Sequence, residues 1–324
     1  MNIRRARWLL LAPVAIVALV AMVFAANWFM PAPLEEERSF VVPDGASLTT
    51  IAGKLEKEGF IDSASRFLIG AKLFGGSRPI KAGEFLVPAH ASGNEILTIL
   101  QGDEVIRRFV TIPEGMPSIM VHERLMAQPL LTGDIPIPAE GSVLPESYDF
   151  ERGEAREAVL RRMQTAMTRT LAEAWTKRAP GIAVKTAQEA LVLASIVEKE
   201  TGKPSERRLV AGLYSNRLKK GMLLQADPTI IYPITQGKPL GRRIRQSEIQ
   251  AVNGYNTYTM TGLPQGPITN PGKASIEAVL NPAKTGALHM VADGTGGHQF
   301  STTLEQHNAA VEKWFAIRRA RGEM

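Results

Sequence analysis

The chain of 324 residues contains no cysteine. That excludes disulfides, a thiolate nucleophile and any cysteine-ligated metal, and it suits an exported protein, which then risks no wrong pairing. Histidine is scarce: His90, His122, His289, His298 and His307 are all there are, and no two form a HExxH pair. A zinc site would need distant residues to converge, so no metal or other cofactor is expected. No GxSxG elbow, Walker loop or dinucleotide fingerprint occurs. The run Gly294-Thr-Gly-Gly297 is glycine-rich but precedes no helix. Low-complexity tracts are absent too, and 44% hydrophobic with 22% charged residues is the composition of a folded protein long enough for two cores.

The net charge is +6 and the pI about 9.5. Outside Arg242-Arg243-Ile-Arg245 and Arg318-Arg319-Ala-Arg321, the basic residues are dispersed or belong to the N-terminus. No nucleic-acid partner is therefore expected; a solvated basic surface, or attraction to anionic envelope polymers or lipid, fits better.

One long apolar run is present. Trp8 to Met30 has Asn27 as its only strongly polar side chain, with Arg4, Arg5 and Arg7 before it and Glu35, Glu36 and Glu37 after it. The length suits a membrane-spanning helix, and the flanking arginines put the N-terminus inside. The expectation is a cytoplasmic tail at 1–7, a single-pass anchor in the inner membrane at 8–30, a linker at 31–38, and everything beyond in the periplasm. A signal peptide cut near Ala25 or Ala26 is the alternative.

The pattern from Phe40 to Phe60 reads as a strand, a Pro-Asp-Gly turn and an amphipathic helix carrying Leu48, Ile51, Ala52 and Leu55 on one face. Ser63 starts a second helix, and Gly83-Glu-Phe-Leu-Val-Pro88 returns as a strand. This β-α-α-β order over 39–105 resembles a LysM-type module, a small fold that holds glycan. Val110-Thr-Ile-Pro-Glu-Gly115 echoes Val41-Val-Pro-Asp-Gly45, with Val121 matching Ile51 and Leu125 matching Leu55. Residues 106–324 read as a helix-rich second domain: a loop at 141–150, a long helix to Arg178, and helices ending at Gly202 and Gly221. Further helices open at Asp227-Pro228 and Asn270-Pro271. A hairpin at 288–301 and a last helix from Thr303 follow. The fold class is α+β.

The helix from Thr186 to Thr201 carries the chemistry. Thr186 and Glu189 have capping-box spacing, and Gly202 and Pro204 mark the end. At about 100° per residue, Gln188, Ser195, Glu198 and Lys199 share a polar arc, whereas Glu200 lies on the side of Leu193, Ile196 and Val197. A carboxyl there is desolvated, faces the negative helix end and has Glu198 nearby, all of which raise its pKa. Two readings stand: a buried salt bridge with an arginine or lysine, or a general acid. Gln225 and Asp227 flank a helix start, and Tyr255-Asn-Thr-Tyr258 packs hydroxyls, an amide and rings into four residues. Such groups suit sugar rings, though each alone also reads as a capped turn or a loop tyrosine.

Ala194-Ser-Ile-Val-Glu-Lys-Glu-Thr201, Ser205-Glu-Arg207, Asn216-Arg217-Leu218, Leu224-Gln225, Asp227-Pro-Thr229, Tyr255-Asn-Thr-Tyr258, Gly262-Leu-Pro264, Asn281-Pro-Ala-Lys284 and Val291-Ala-Asp-Gly-Thr-Gly-Gly-His298 occur in that order. Together they closely resemble the endolytic murein transglycosylases of the YceG-like family, from the apolar run to the end of the chain. The resemblance implies cleavage within peptidoglycan glycan strands, between N-acetylmuramic acid and N-acetylglucosamine, leaving a 1,6-anhydromuramic end. It implies Glu200, the second glutamate of Glu-Lys-Glu-Thr, as the catalytic residue, and peptidoglycan synthases (penicillin-binding proteins) as neighbours, with strand termination as the task. Gln225, Asp227, Asn256 and Tyr258 are expected to position the sugars. A non-catalytic glycan-binding scaffold and a two-carboxylate hydrolase using Asp227 are the rival classes.

Overall fold

The computed structural model describes residues 3–32 and 34–323, with side chains from Pro13 onward. The architecture is helix-rich α+β, and three small two-stranded sheets are present among the described residues. The chain divides into two compact units, 1–108 and 109–324.

The first unit runs α1 (Ile3–Phe29), β1 (Arg38–Val42), α2 (Leu48–Lys57), α3 (Ala64–Phe74), β2 (Gly83–Val87) and α4 (Gly93–Leu100). Helix starts follow local chemistry. The hydroxyls of Ser47, Ser63 and Ser92 each accept the amide three residues on, and Glu95 completes a capping box with Ser92. β1 and β2 pair antiparallel, Phe40 opposite Phe85. Phe40, Phe60, Phe85, Ile51, Leu55, Ile96 and Leu100 are wholly buried beneath them. The β-α-α-β order is present, and α4 closes the same core as an element the sequence reading passed over.

In the segment expected as a linker, one residue is packed. Leu34 is buried, and its carbonyl accepts the His90 amide at 2.7 Å. Trp28, assigned from sequence to the anchor, is 4% exposed in the core of this unit. Its ring lies 5.5 Å from that of Phe67 and so close to Gly70 that a Cβ there would run into it. Among the described residues no helix is long and apolar enough to cross a membrane. The tail at 1–7 and the first part of the expected span, 8–12, lie outside the residues whose side chains are described. Pro13–Phe29 continues as helix, apolar but for Asn27.

The second unit holds β3 (Arg108–Thr111), α5 (Ser118–Met126), β4 (Ser147–Phe150), α6 (Arg156–Thr176), α7 (Ala187–Glu200), α8 (Arg207–Lys219), α9 (Asp227–Thr235), α10 (Gln246–Ile249), α11 (Lys273–Leu280), β5 (His289–Ala292), β6 (His298–Ser301) and α12 (Leu304–Ala320). β4, within a stretch expected as loop, pairs with β3. The echo in the sequence is an echo in structure. Met116 donates to Pro113 O as Ala46 does to Pro43 O, both at 3.2 Å, and each turn has glycine in the left-handed region, at Gly115 and Gly45. Val121 and Leu125 are buried like Ile51 and Leu55. Two cores result: one under β3, α5, β4 and the start of α6, the other around α7.

α7 packs against α6, α8, α9 and α11. Every residue from Ala190 to Val197 is buried, and the polar arc inferred from the sequence is split: Ser195 and the Glu198 side chain face protein, whereas Gln188 and Lys199 are exposed. Ser195 is satisfied there: its hydroxyl donates to Val192 O at 2.7 Å and accepts the Ile268 amide at 3.0 Å. Thr186 caps the helix through the Glu189 amide, and the Glu189 carboxylate reaches the Lys185 amide instead of closing the box.

Candidate active site

α7 delivers two glutamates to its final turn, and their surroundings differ. Glu198 Oε2 accepts the Gly272 amide at 2.9 Å, and its Oε1 lies 3.7 Å from the Arg207 guanidinium. Arg207 also binds Glu114 at 3.1 Å. Glu198 therefore takes the buried salt bridge that was one reading for its neighbour. Glu200 makes no salt bridge among those found in the described residues. Its Oε1 is shut off from solvent without a hydrogen-bond partner. Burial first, and the Asp227 charge second, push its pKa up to about 7, while a hydrogen bond with Tyr214 and the Arg217 charge pull the other way. A carboxyl raised toward neutrality is suited to both giving and taking a proton.

Glu200 opens on a cavity of about 350 Å³, also lined by Lys199, Tyr214, Arg217, Gln225, Asp227, Tyr258 and Met290. Gln225, Asp227 and Tyr258 thus meet Glu200 across considerable sequence distances. Threonines hold them together. Thr257 O accepts the Gln225 amide at 3.1 Å; beneath it, buried, Thr257 Oγ1 accepts the Ala226 amide at 3.0 Å and the Thr229 and Thr257 hydroxyls lie 2.9 Å apart. This lock holds Gln225 at φ +54, a left-handed conformation that costs a non-glycine residue about 1–2 kcal/mol and recurs at functional sites. Asp227 is the first residue of α9, with Ala226 as the cap, so its carboxylate sits at the positive helix end. The Tyr258 hydroxyl donates to Asp227 Oδ1 at 2.6 Å. Burial and that carboxylate hold the Tyr258 pKa above its ordinary value, which keeps it a neutral donor.

Asn256 departs from the expectation. It is fully buried and absent from the cavity wall. Its amide nitrogen donates to Ala251 O at 2.7 Å and Ile249 O at 2.9 Å, and its Oδ1 accepts the Tyr258 amide at 3.0 Å. Its polar atoms are committed to the backbone, so it sets the loop that presents Tyr258 and offers nothing to a sugar.

Tyr214 and Arg217 line the site without having been singled out in the sequence. Both are buried on α8, three residues apart and hence on one face. Arg217 donates through Nε to Leu288 O at 2.7 Å and through Nη1 to Leu224 O at 2.6 Å, tying the β5 approach to the Gln225 turn. The available signal was a hydroxyl and a cation close to Val210, Ala211 and Leu213, buried apolar residues of α8. The Asp293–His298 loop is structural: Glu206 accepts the His298 amide at 3.1 Å and faces His298 Nδ1 at 2.8 Å.

A helix-rich α+β body thus presents a desolvated carboxyl in a cleft of amide, hydroxyl and aromatic groups. The chain belongs to the YceG-like family, matched over residues 40–313. It is 34% identical over 179 residues to an endolytic murein transglycosylase of Bacillus subtilis, covering 55% of this chain and 49% of that one. A Streptococcus pneumoniae protein of the same name is 27% identical over 320 residues, covering 83% of this chain and 57% of that one. The chain spans about half the length of the curated relatives it matches. The crystal structure of a putative yceG-like protein from Listeria monocytogenes superposes with a TM-score of 0.53 at 27% identity, over 85% of this chain and 98% of that one.

Proposed function

We propose that this protein is an endolytic peptidoglycan lytic transglycosylase that cuts the bond between N-acetylmuramic acid and N-acetylglucosamine with Glu200 as its one acid–base residue. The observation that carries the reading is the buried, unpartnered Oε1 of Glu200 at a cavity whose walls supply hydrogen bonds. Relatives named endolytic murein transglycosylases support the substrate class.

The chemistry needs only one carboxyl. Protonated Glu200 gives its proton to the glycosidic oxygen as the bond to the muramic C1 breaks. The resulting carboxylate then takes the proton of the substrate's own C6 hydroxyl, whose oxygen closes on C1. A 1,6-anhydro ring forms, no water is consumed, and the glutamic acid is restored. Two-carboxylate hydrolases instead employ a second group as base or nucleophile. Here Asp227 accepts the Tyr258 hydroxyl and raises the proton affinity of Glu200, a supporting task. Gln225 and Tyr258 hold the sugars, and Asn256 acts at one remove.

The first unit is read as a LysM-like module that orients glycan. A cavity of about 310 Å³ between the β1–α2 and α3–β2 connections, lined by Leu48, Arg78, Pro79 and Gln101, is a fitting groove. Residues 8–30 are read as the inner-membrane anchor, which puts the active site in the periplasm beside peptidoglycan synthases, where cleavage terminates nascent strands.

Mass spectrometry of uncrosslinked glycan digested by the protein tests the reading. Anhydro-ended products are expected. Reducing ends would assign a hydrolase, and intact glycan a binding scaffold.

A further inference from the structure

α3 is amphipathic in an unusual sense. Its inner side, Phe67, Gly70 and Ala71, is buried, but its outer side carries Ile69 and Leu73, 49% and 63% exposed, between the exposed side chains of Arg66 and Lys72. At the end of α3, the Phe74 ring lies 5.7 Å from Phe29 and 6.3 Å from Trp28. Phe29 and Met30 are exposed and end the apolar run of α1, whose Val14, Ile16, Val17, Leu19, Val20 and Met22 are exposed as well. Trp28, wedged between Phe67, Gly70 and Gly93, fixes the end of α1 to this unit without a flexible joint.

We propose that the outer face of α3 rests in the lipid surface, so that the small module lies on the bilayer instead of swinging free above it. The inference rests on the anchor reading of residues 8–30 and extends it. If Phe29 and Met30 mark the membrane–water boundary, the Phe74 ring beside Phe29 shares their depth. Leu73 and Ile69 continue that apolar surface along α3. Two apolar residues flanked by two cations match an interfacial helix, with the side chains in the acyl boundary and the cations among anionic headgroups. Each cation near an anionic surface adds about a fivefold preference for it. A docked module would hold the glycan groove at a constant height, where newly made strands leave the membrane.

The absence of cysteine makes the test direct, because a single introduced cysteine reports one place. Full-length protein carrying Val20→Cys, Ile69→Cys, Leu73→Cys or Val252→Cys is labelled with an environment-sensitive fluorophore and reconstituted in phosphatidylcholine–phosphatidylglycerol vesicles. Val252, 88% exposed in the second unit, is the water reference. Labels at 69 and 73 are expected to emit at shorter wavelength than at 252, to be quenched by nitroxide lipid, and to resist aqueous iodide. Iodide quenching at 69 and 73 equal to that at 252, with 20 in lipid, overturns this inference and leaves the anchor standing. Iodide quenching at 20 overturns both. Protection at 69 and 73 from nitroxide lipid and iodide alike assigns the face to a protein partner and overturns the lipid reading.

Discussion

Glu198 and Glu200 stand two residues apart at the end of one helix, and one is paired while the other is not. Positions two apart on a helix point about 160° from each other. Glu198 turns to Gly272 and Arg207, whereas Glu200 turns to the cavity. The Glu200→Gln variant keeps the shape but has no proton to give. It is expected to fold and to lose cleavage by ~10²–10⁴-fold. Glu198→Gln leaves Arg207 facing a neutral amide. It is expected to lose about 1–3 kcal/mol of stability and to retain most cleavage per folded molecule. Counting anhydro ends released by each purified variant, alongside urea titrations, checks both. An active Glu200→Gln beside a folded but inactive Glu198→Gln would reverse the assignment.

The raised pKa has a stability consequence of definite sign. Glu200 sits at about 7 in the folded protein against an ordinary 4.5. The folded state therefore binds this proton more tightly than the unfolded one. The stability it contributes is complete below pH 4.5, falls between 4.5 and 7, and is gone above. The difference amounts to about 3 kcal/mol. Glutamine does not titrate, so Glu200→Gln should gain about 3 kcal/mol on the wild type between acid and mildly alkaline solution. Urea unfolding of the larger unit across that pH range measures it; parallel curves for the two proteins would show that Glu200 is not held up by burial.

The sequence revealed α7 and the side that carries Glu200 because apolar spacing and a cap are local signals. It could not reveal that Ser195 and Glu198 on the opposite arc are also buried, since α6, α8, α9 and α11 arrive from elsewhere in the chain. Glu198 and Ser195 look like a solvated face until Gly272, Arg207 and Ile268 are in place. Asn256 was misread for a related reason. An amide beside tyrosines looks like a sugar ligand, and only the fold shows the carbonyls it serves. Hydropathy does not distinguish lipid from a protein core, so it could not show that Trp28, at the end of the apolar run, is seated in the small unit; the signal for that was Gly70, a small residue opposite a large ring.

That seating of Trp28 is testable without activity. If α1 ended before the module began, Trp28→Ala would leave the small unit's stability unchanged. The buried ring predicts a loss of about 3–5 kcal/mol in the unfolding of that unit, the ordinary cost of removing a large aromatic from a core. Differential hydrogen exchange resolves the unit from its neighbour: amides of α3 and α4 should lose protection in the variant while those of α7 keep it.

Asp227 decides between one-carboxylate and two-carboxylate chemistry. Its charge is the second cause of the high proton affinity of Glu200. Asp227→Asn removes that charge, so Glu200 gives up its proton at lower pH and the alkaline limb of kcat/KM moves down from about 7. Tyr258→Phe keeps the Asp227 charge, so cleavage weakens with the limb not shifted downward. Were Asp227 a base or nucleophile in its own right, Asp227→Asn would abolish turnover at every pH. The pH profiles of the two variants, read on soluble glycan, separate these outcomes.

Asn256 closes the set because it connects the loop to the acid without touching the cavity. Its Nδ2 satisfies carbonyls of residues 249 and 251, and its Oδ1 holds the Tyr258 amide. Asn256→Asp exchanges the donor for a charge facing those carbonyls in a buried place. Asn256→Ala leaves the carbonyls unpaired, at about 1–3 kcal/mol for each group stranded. Both variants should be destabilised, and both should lose cleavage through a displaced Tyr258, as a fall in kcat/KM that is not made worse by adding Tyr258→Phe. A direct sugar contact would behave otherwise: Asn256→Ala would leave the folding curve unchanged and raise KM, and its effect would add to that of Tyr258→Phe. The double-mutant cycle, with thermal unfolding of each member, distinguishes a residue that builds the site from one that binds within it.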